Sequence, residues 1–200
     1  TAPCADAIVA AGVARVVSAL GDPNPKVAGN GYARLRAAGI EVVDGVCAAE
    51  ARRAHAGHVR RILDGRPLVT LKLAVSADNK AARAGRKPIQ ITGEAARARV
   101  HLMRAMHDAI LVGIGTVLAD DPALTCRLPG MTTQSPVRVV LDRALRLPPD
   151  SQLAMSARTI PVWVFCATDA PQDREQILRD RGVVVLRTQT GAEGLDLAAV

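Results

Sequence analysis

Two hundred residues, 49% apolar and 22% charged, suffice for one large α/β domain or two small ones and exclude a disordered chain. No run reaches the roughly 18 apolar residues of a membrane helix, and Thr1-Ala-Pro-Cys4 lacks the basic-then-apolar opening of a secretory signal, so a cytoplasmic protein is expected. A net charge of +7 calls for anionic partners; with Tyr32, Trp163 and Phe165 as the only aromatics and basic residues scattered among acidic ones, small phosphorylated ligands are favoured over nucleic acid. The competing reading of that charge is a generally basic, solvated surface.

Short β-branched runs alternate with Ala/Arg/Leu-rich stretches, the pattern of α/β layering. The sequence predicts a short helix over 6–11 and a strand over 14–20. Asp22-Pro-Asn-Pro25 is a loop, because two prolines disfavour regular hydrogen bonding. A helix over 31–38 follows, ended by Gly39 in the left-handed cap position, then a strand over 40–43. One charged helix is expected over 48–63. Asp64-Gly65-Arg66-Pro67 is a turn and a domain boundary, dividing the chain into 1–64 and 65–200. Beyond it, 68–75 is an apolar strand interrupted by Lys72, and 76–88 is a loop. Thr92 is expected to cap a helix over 93–106 whose buried stripe is Val100, Met103 and Met106. Strands over 109–114 and 137–141 are of the fully buried parallel type. A strand over 161–165, a helix over 172–181 and a strand over 183–186 complete the pattern. Both ends read as cut: the chain starts directly on a motif, and 195–200 begins an amphipathic segment without a cap.

Several residues carry chemistry of their own. Cys4 opens a helix, whose partial positive charge favours the thiolate that binds zinc; alone it reads as structural. Cys47 and Cys126 are incidental, Cys166 is a buried core thiol, and the spacing of the four makes no disulfide framework. Gly113-Ile-Gly115-Thr116 follows a strand, where bare backbone N–H groups can approach a phosphate, although such a pair is common in ordinary turns. Lys72, a charge inside an apolar strand, either snorkels out or faces a cleft.

The run Thr1-Ala-Pro-Cys4-Ala-Asp6, then Ala11-Gly12-Val-Ala-Arg-Val16, Asp22-Pro-Asn-Pro-Lys26-Val-Ala-Gly29-Asn-Gly31 and Ala38-Gly39-Ile40, resembles the riboflavin-pathway deaminases. Leu71–Asp78, Ile91–Arg97, Leu102-Met-Arg104-Ala, the long ordered series Asp108–Arg127, and Pro136–Asp142 resemble the reductase domain of the same bifunctional deaminase–reductases. The resemblance covers nearly the whole chain. It implies the C-terminal part of a cytidine-deaminase-like α/β/α domain followed by a dihydrofolate-reductase-like α/β domain. It further implies zinc-dependent deamination of a diaminopyrimidine ribosylamino 5′-phosphate, NADPH-dependent reduction of its ribosyl group to ribityl, and a tendency to form homo-oligomers.

By that resemblance Cys4 is the last of three zinc ligands; the other two and the catalytic Glu precede it in the family, and His55, His58, His101 and His107 do not replace them. Ala74, Gln90, Thr116, Asp120 and Arg143 are cofactor contacts, Arg143 suited to a 2′-phosphate. Pro88, Arg104, Leu124 and Arg127 bind substrate, the two arginines taking its 5′-phosphate through their forked donors. Lys72 polarises the sugar's carbonyl or imine carbon. Four positions depart from the family pattern: Pro88 and Gln90 stand where Ser-x-Trp is usual, Asn79 where Gly is usual, and Arg143 where Ser is frequent. The alternatives are a stand-alone reductase of dihydrofolate-reductase type, against which the Cys4–Gly39 segment speaks, and a basic nucleic-acid-binding module, against which the lack of aromatics speaks.

Overall fold

The alternation of β-branched and Ala/Arg-rich stretches folds as an α/β protein. The computed structural model describes residues 3–81, 89–191 and 194–200, and the chain divides into two units, Thr1–Lys72 and Leu73–Val200.

The first unit comprises α1 (Cys4–Ala10), β1 (Arg15–Val17), α2 (Asn30–Ala37), β2 (Glu41–Val43), α3 (Ala48–Ala54) and α4 (Ala56–Asp64). β1 and β2 pair in parallel with Val16 opposite Val42, and α2 makes the crossover. The strand expected over 14–20 is only three residues long, since β2 offers only three partners. Gly39 stands just past α2 at φ +78°, the conformation in which an L side chain clashes. Ala5, Leu35 and Ile40 are buried, with Ile8, Val16 and Val42 packed against them. The single charged helix expected over 48–63 is two helices, interrupted at His55 (φ −104°, ψ 18°). Neither α3 nor α4 contributes a buried residue. No continuous apolar face therefore holds the two in register, and Gly57 sits just past the break, where its low helix propensity helps interrupt the run.

The expected strand over 68–75 is not a strand. These residues join no ladder among the described residues, and Val69, Leu71 and Leu73 are 82%, 85% and 67% exposed. β-branched and aliphatic residues supply the propensity, but a strand exists only where a second backbone accepts its hydrogen bonds. A turn follows, with the Ser76 N–H donating to the Lys80 carbonyl (2.9 Å) and Asn79 at φ +59°. Asn is among the few non-glycine residues that enter this region at low cost, which accounts for its standing where the resemblance expects Gly.

The second unit continues with α5 (Glu94–Met106), β3 (Ala109–Gly113), α6 (Ile114–Asp120), β4 (Val137–Leu141), α7 (Gln152–Met155), β5 (Val162–Ala167), α8 (Gln172–Asp180) and β6 (Val184–Thr188), then a ribbon of β7 (Thr190–Gly191) and β8 (Gly194–Leu195). Strands β3–β4–β5–β6 form a parallel sheet in that order. The core gathers on β4, β5 and the segments after them. Val140, Leu145, Leu147, Leu153, Val162 and Val164 are fully buried, each stabilising the fold by about 1.5–3 kcal/mol relative to exposure. β4 matches the buried parallel type; β3 does not, because it is an edge of the sheet and Leu111 is 51% exposed. Two details of α5 differ from expectation. Gly93, not Thr92, is its N-cap, without a side-chain bond, and Met106 is 69% exposed, so the expected stripe is not buried.

Candidate functional site

Two places in the second unit collect the residues that the sequence singles out. The first lies where α5 meets the segment after α6. One turn of α5 presents His101 and Arg104, three apart and hence on one face. Arg104 Nη1 donates to the Thr125 carbonyl at 2.9 Å, and the main-chain N–H of Arg127 reaches His101 Nδ1 at 3.2 Å. The same nitrogen is 3.2 Å from the Thr125 carbonyl oxygen.

The segment bends because Leu124, buried, takes φ +54°. A left-handed leucine costs roughly 1–2 kcal/mol, so the surroundings must hold it. They do so by tying consecutive main-chain groups. Arg138 Nη1 donates to the Ala123 carbonyl (3.3 Å), Arg104 to that of Thr125, and the Cys126 N–H donates to Ser135 Oγ (3.0 Å). Arg138 is itself fully buried on β4, paired with no carboxylate among the described residues and surrounded by oxygens of Ala123, Ser156 and Ile160. The bend sends Leu124 into the core and leaves the Arg127 side chain exposed beside Arg104.

Neither Arg104 nor Arg127 pairs with a carboxylate among the described residues. Burial, then the Arg127 charge, pull the Arg104 pKa below its ordinary value. Arg104 Nε is buried without a hydrogen-bond partner among the described residues. Burial first, then Arg104 and Arg127, likewise lower the His101 pKa, which keeps the imidazole neutral at pH 7. Two fork-shaped cations, with no carboxylate partner among the described residues, have the donors that charge-assisted hydrogen bonds to an oxyanion require.

The second place is a hollow of about 640 Å³ lined by Ile114, Leu141, Arg143 and Arg146, with Gly191 and Gly194–Leu197 on its other side. It opens where β3 passes into α6 and where β4 ends, the carboxyl end of parallel strands at which ligands of α/β folds usually bind. Space above Gly113 is open, for a Cβ built there would meet nothing within 4 Å. Thr116 and Asp120 lie one turn apart on the exposed face of α6, opposite the buried Ile114 and Val117; they do not line the hollow, whereas Arg143 does. Arg146 Nε is 3.8 Å from Oδ1 of the buried Asp142, whose Oδ2 accepts the Leu147 N–H.

The remaining sequence candidates are not gathered at either place. Ala74 is half-buried and Gln90 exposed, both in irregular backbone, and Pro88 lies outside the described residues. Lys72 is exposed at the end of the first unit. Cys4 is exposed at the first residue of α1, and among the described residues no group of three or more His, Cys, Asp or Glu side chains stands ready to hold a metal. His101, Arg138 and Arg146 are the residues that sequence reasoning passed over. The spacing of His101 with Arg104, and of Arg143 with Arg146, was the available signal for two of them. Nothing in sequence marks Arg138 as buried.

Comparison with known proteins places these features. A family model described as the RibD C-terminal domain matches residues 67–200. The riboflavin biosynthesis protein RibD of Actinobacillus pleuropneumoniae is 40% identical over 197 residues, 98% of this chain and 52% of that protein. Among solved structures, Acinetobacter baumannii RibD (form 1) superposes with a TM-score of 0.80 at 40% identity, covering 94% of this chain and 52% of its own. A diaminohydroxyphosphoribosylaminopyrimidine deaminase/5-amino-6-(5-phosphoribosylamino)uracil reductase from Thermotoga maritima does so at 0.77 and 35%, covering 94% and 57%. The chain spans about half the length of the curated relatives it matches.

Proposed function

Because the chain belongs to the RibD C-terminal domain family, we propose that it is the reductase part of a bifunctional riboflavin-biosynthesis enzyme, preceded by the tail of the deaminase part in 1–64. Its substrate is then a phosphorylated pyrimidine ribosylamine in the cytoplasm, and its product the ribityl compound. Among the described residues no helix is long and apolar enough to cross a membrane. The observation that carries this reading is the uncompensated Arg104–Arg127 pair around Thr125, a ready anchor for a 5′-phosphate. Anchoring the phosphate there spends binding energy far from the reacting carbon and fixes the sugar's orientation. The strained bend at Leu124 supports the site from below, and Leu124 with Pro88 would contact the rest of the substrate.

The hollow beside Arg143 and Arg146 suits NADPH, because half of it is apolar or glycine wall and two guanidinium groups at its rim match a 2′-phosphate. Ala74, Gln90, Thr116 and Asp120 are the further contacts proposed for it. When bound, NADPH supplies the hydride that reduces the ribosyl C1′ and opens the ring. The protein's share is positioning and electrostatics. Lys72 is proposed to polarise that carbon, a role read from a charge set within an apolar run. Zinc does not fit in the same way. Cys4 is proposed as one ligand, but the described residues gather no group of three or more His, Cys, Asp or Glu side chains around it, so no deamination step is assigned to this chain. Association of copies follows from the family resemblance only.

The test is NADPH oxidation by the protein at the full length of its relatives, with the deaminated ribosylamino pyrimidine phosphate as substrate. Substrate-dependent oxidation is expected, with Arg104→Ala or Arg127→Ala raising KM about 10- to 100-fold, the range for losing a charge-assisted phosphate contact. A folded protein that oxidises no NADPH overturns the reading.

A further inference from the structure

His101 sits at the phosphate end without being one of the phosphate's proposed ligands, and its hydrogen-bond geometry poses a choice. Nδ1 lies 3.2 Å from both the Thr125 carbonyl oxygen and the Arg127 nitrogen. One ring nitrogen can donate to the first or accept from the second, but not both. The Thr125 carbonyl already receives Arg104 Nη1 at 2.9 Å. The Arg127 N–H has His101 as its one hydrogen-bond acceptor among the described residues. Pairing the Arg127 N–H makes Nδ1 the acceptor and puts the ring proton on Nε2.

We propose that His101 is a positioning residue for phosphate recognition: by accepting the Arg127 N–H it locks the bend after Leu124 and aims the Arg127 guanidinium toward Arg104. This rests on the reading of Arg104 and Arg127 as the phosphate anchor. The charged groups that face the imidazole are Arg104 from its own helix and Arg127 from the bend, both cationic. They oppose a second proton on the ring, so the acceptor is present in the unliganded protein. α5 has no fully buried residue, and these polar ties link it to residues 124–127. A glutamine at 101 offers an amide oxygen to the same N–H; alanine offers nothing.

The test uses the full-length protein with 15N-labelled arginine, in wild-type, His101→Ala and His101→Gln forms. Amide exchange at Arg127 is expected to speed up about tenfold in the Ala variant and to return toward wild type in the Gln variant. KM for the phosphorylated substrate is expected to rise about five- to tenfold in His101→Ala with kcat unchanged, roughly the worth of one hydrogen bond. It should recover in His101→Gln, while KM for the same compound lacking its phosphate stays constant throughout. Unchanged Arg127 exchange in the Ala variant overturns the proposal. So does a KM shift shared equally by the phosphorylated and dephosphorylated compounds, which is the mark of general disorder. If Arg104→Ala and Arg127→Ala leave KM unaltered, the phosphate reading fails and the role of His101 in it falls too, with the amide exchange then judging the hydrogen bond by itself.

Discussion

The two units are built on the same principle to very different depths. In the first, three residues each of β1 and β2 pair over a core of Ala5, Leu35 and Ile40, and two helices bury nothing. In the second, four parallel strands enclose side chains with no exposure at all. The difference teaches where rigidity is available for a site. The bend at Leu124 and the end of β4 both hang directly from the deep core, through Leu124 itself and through Arg138. A strained backbone persists only where its surroundings over-determine it, and the first unit has no comparable depth of packing.

The largest effect that tests this contrast is core truncation. Leu153→Ala is expected to cost the second unit about 3–5 kcal/mol, and Leu35→Ala the first unit about 1–2 kcal/mol, because its half-buried neighbours can collapse into the gap. Urea unfolding followed by a probe in each unit measures both; equal losses would break the comparison.

Next comes the carboxylate of Glu175. Arg179 Nε (2.9 Å) and Arg187 Nε (3.0 Å) donate to it, and these two bonds hold its pKa below the usual carboxylate value. A folded pKa below the unfolded value of about 4.3 stabilises the protein above that pH, and the benefit disappears as pH falls through the folded value. Glu175→Gln should therefore cost about 1–2 kcal/mol at pH 7 and almost nothing near pH 2, read from thermal melts across that range. The pair Arg15–Glu41 on the first unit is more than half exposed on both sides, and Glu41→Gln is expected to leave the melt unmoved.

The smallest contrast is between two glycines. Gly182 has φ +91° and a Cβ there would stand 2.7 Å from Arg158 Cγ, while Gly12 has φ +66° and open space. Gly182→Ala should cost about 2 kcal/mol and Gly12→Ala about 1 kcal/mol, since only the first adds a contact to the backbone strain. Reversal of that order in melting temperature would show that the Arg158 side chain simply moves away.

Much of this architecture is legible in the sequence, for reasons visible residue by residue. Val137–Leu141 announces itself because a strand buried on both faces is rich in β-branched residues, and Val137, Val139 and Val140 supply them around Arg138. The helix before Gly39 is equally plain, since its cap glycine marks the stop. The segment 68–75 misleads because propensity says nothing about whether a partner backbone is at hand. The break at His55 and the exposed Met106 arise in the same way, from tertiary packing that a periodic pattern cannot report. At the site, Arg104 and Arg127 stand out only through resemblance. Their meeting depends on a left-handed leucine, and no composition rule would place one there. His101 reads from sequence only as a histidine that does not complete the zinc site, since its meeting with Thr125 and Arg127 depends on the same bend.

The open segment at 68–75 has a consequence for how copies of the protein meet. Residues 68–75 carry no glycine or proline and join no ladder among the described residues, and Val69, Leu71 and Leu73 stand exposed. An apolar run on the surface is a place where molecules can meet. Lys72 is its one charge, and two copies brought together there would set ammonium groups against each other. Salt screens that repulsion over about 3 Å at 1 M, so self-association is expected to rise with ionic strength, as light scattering would read.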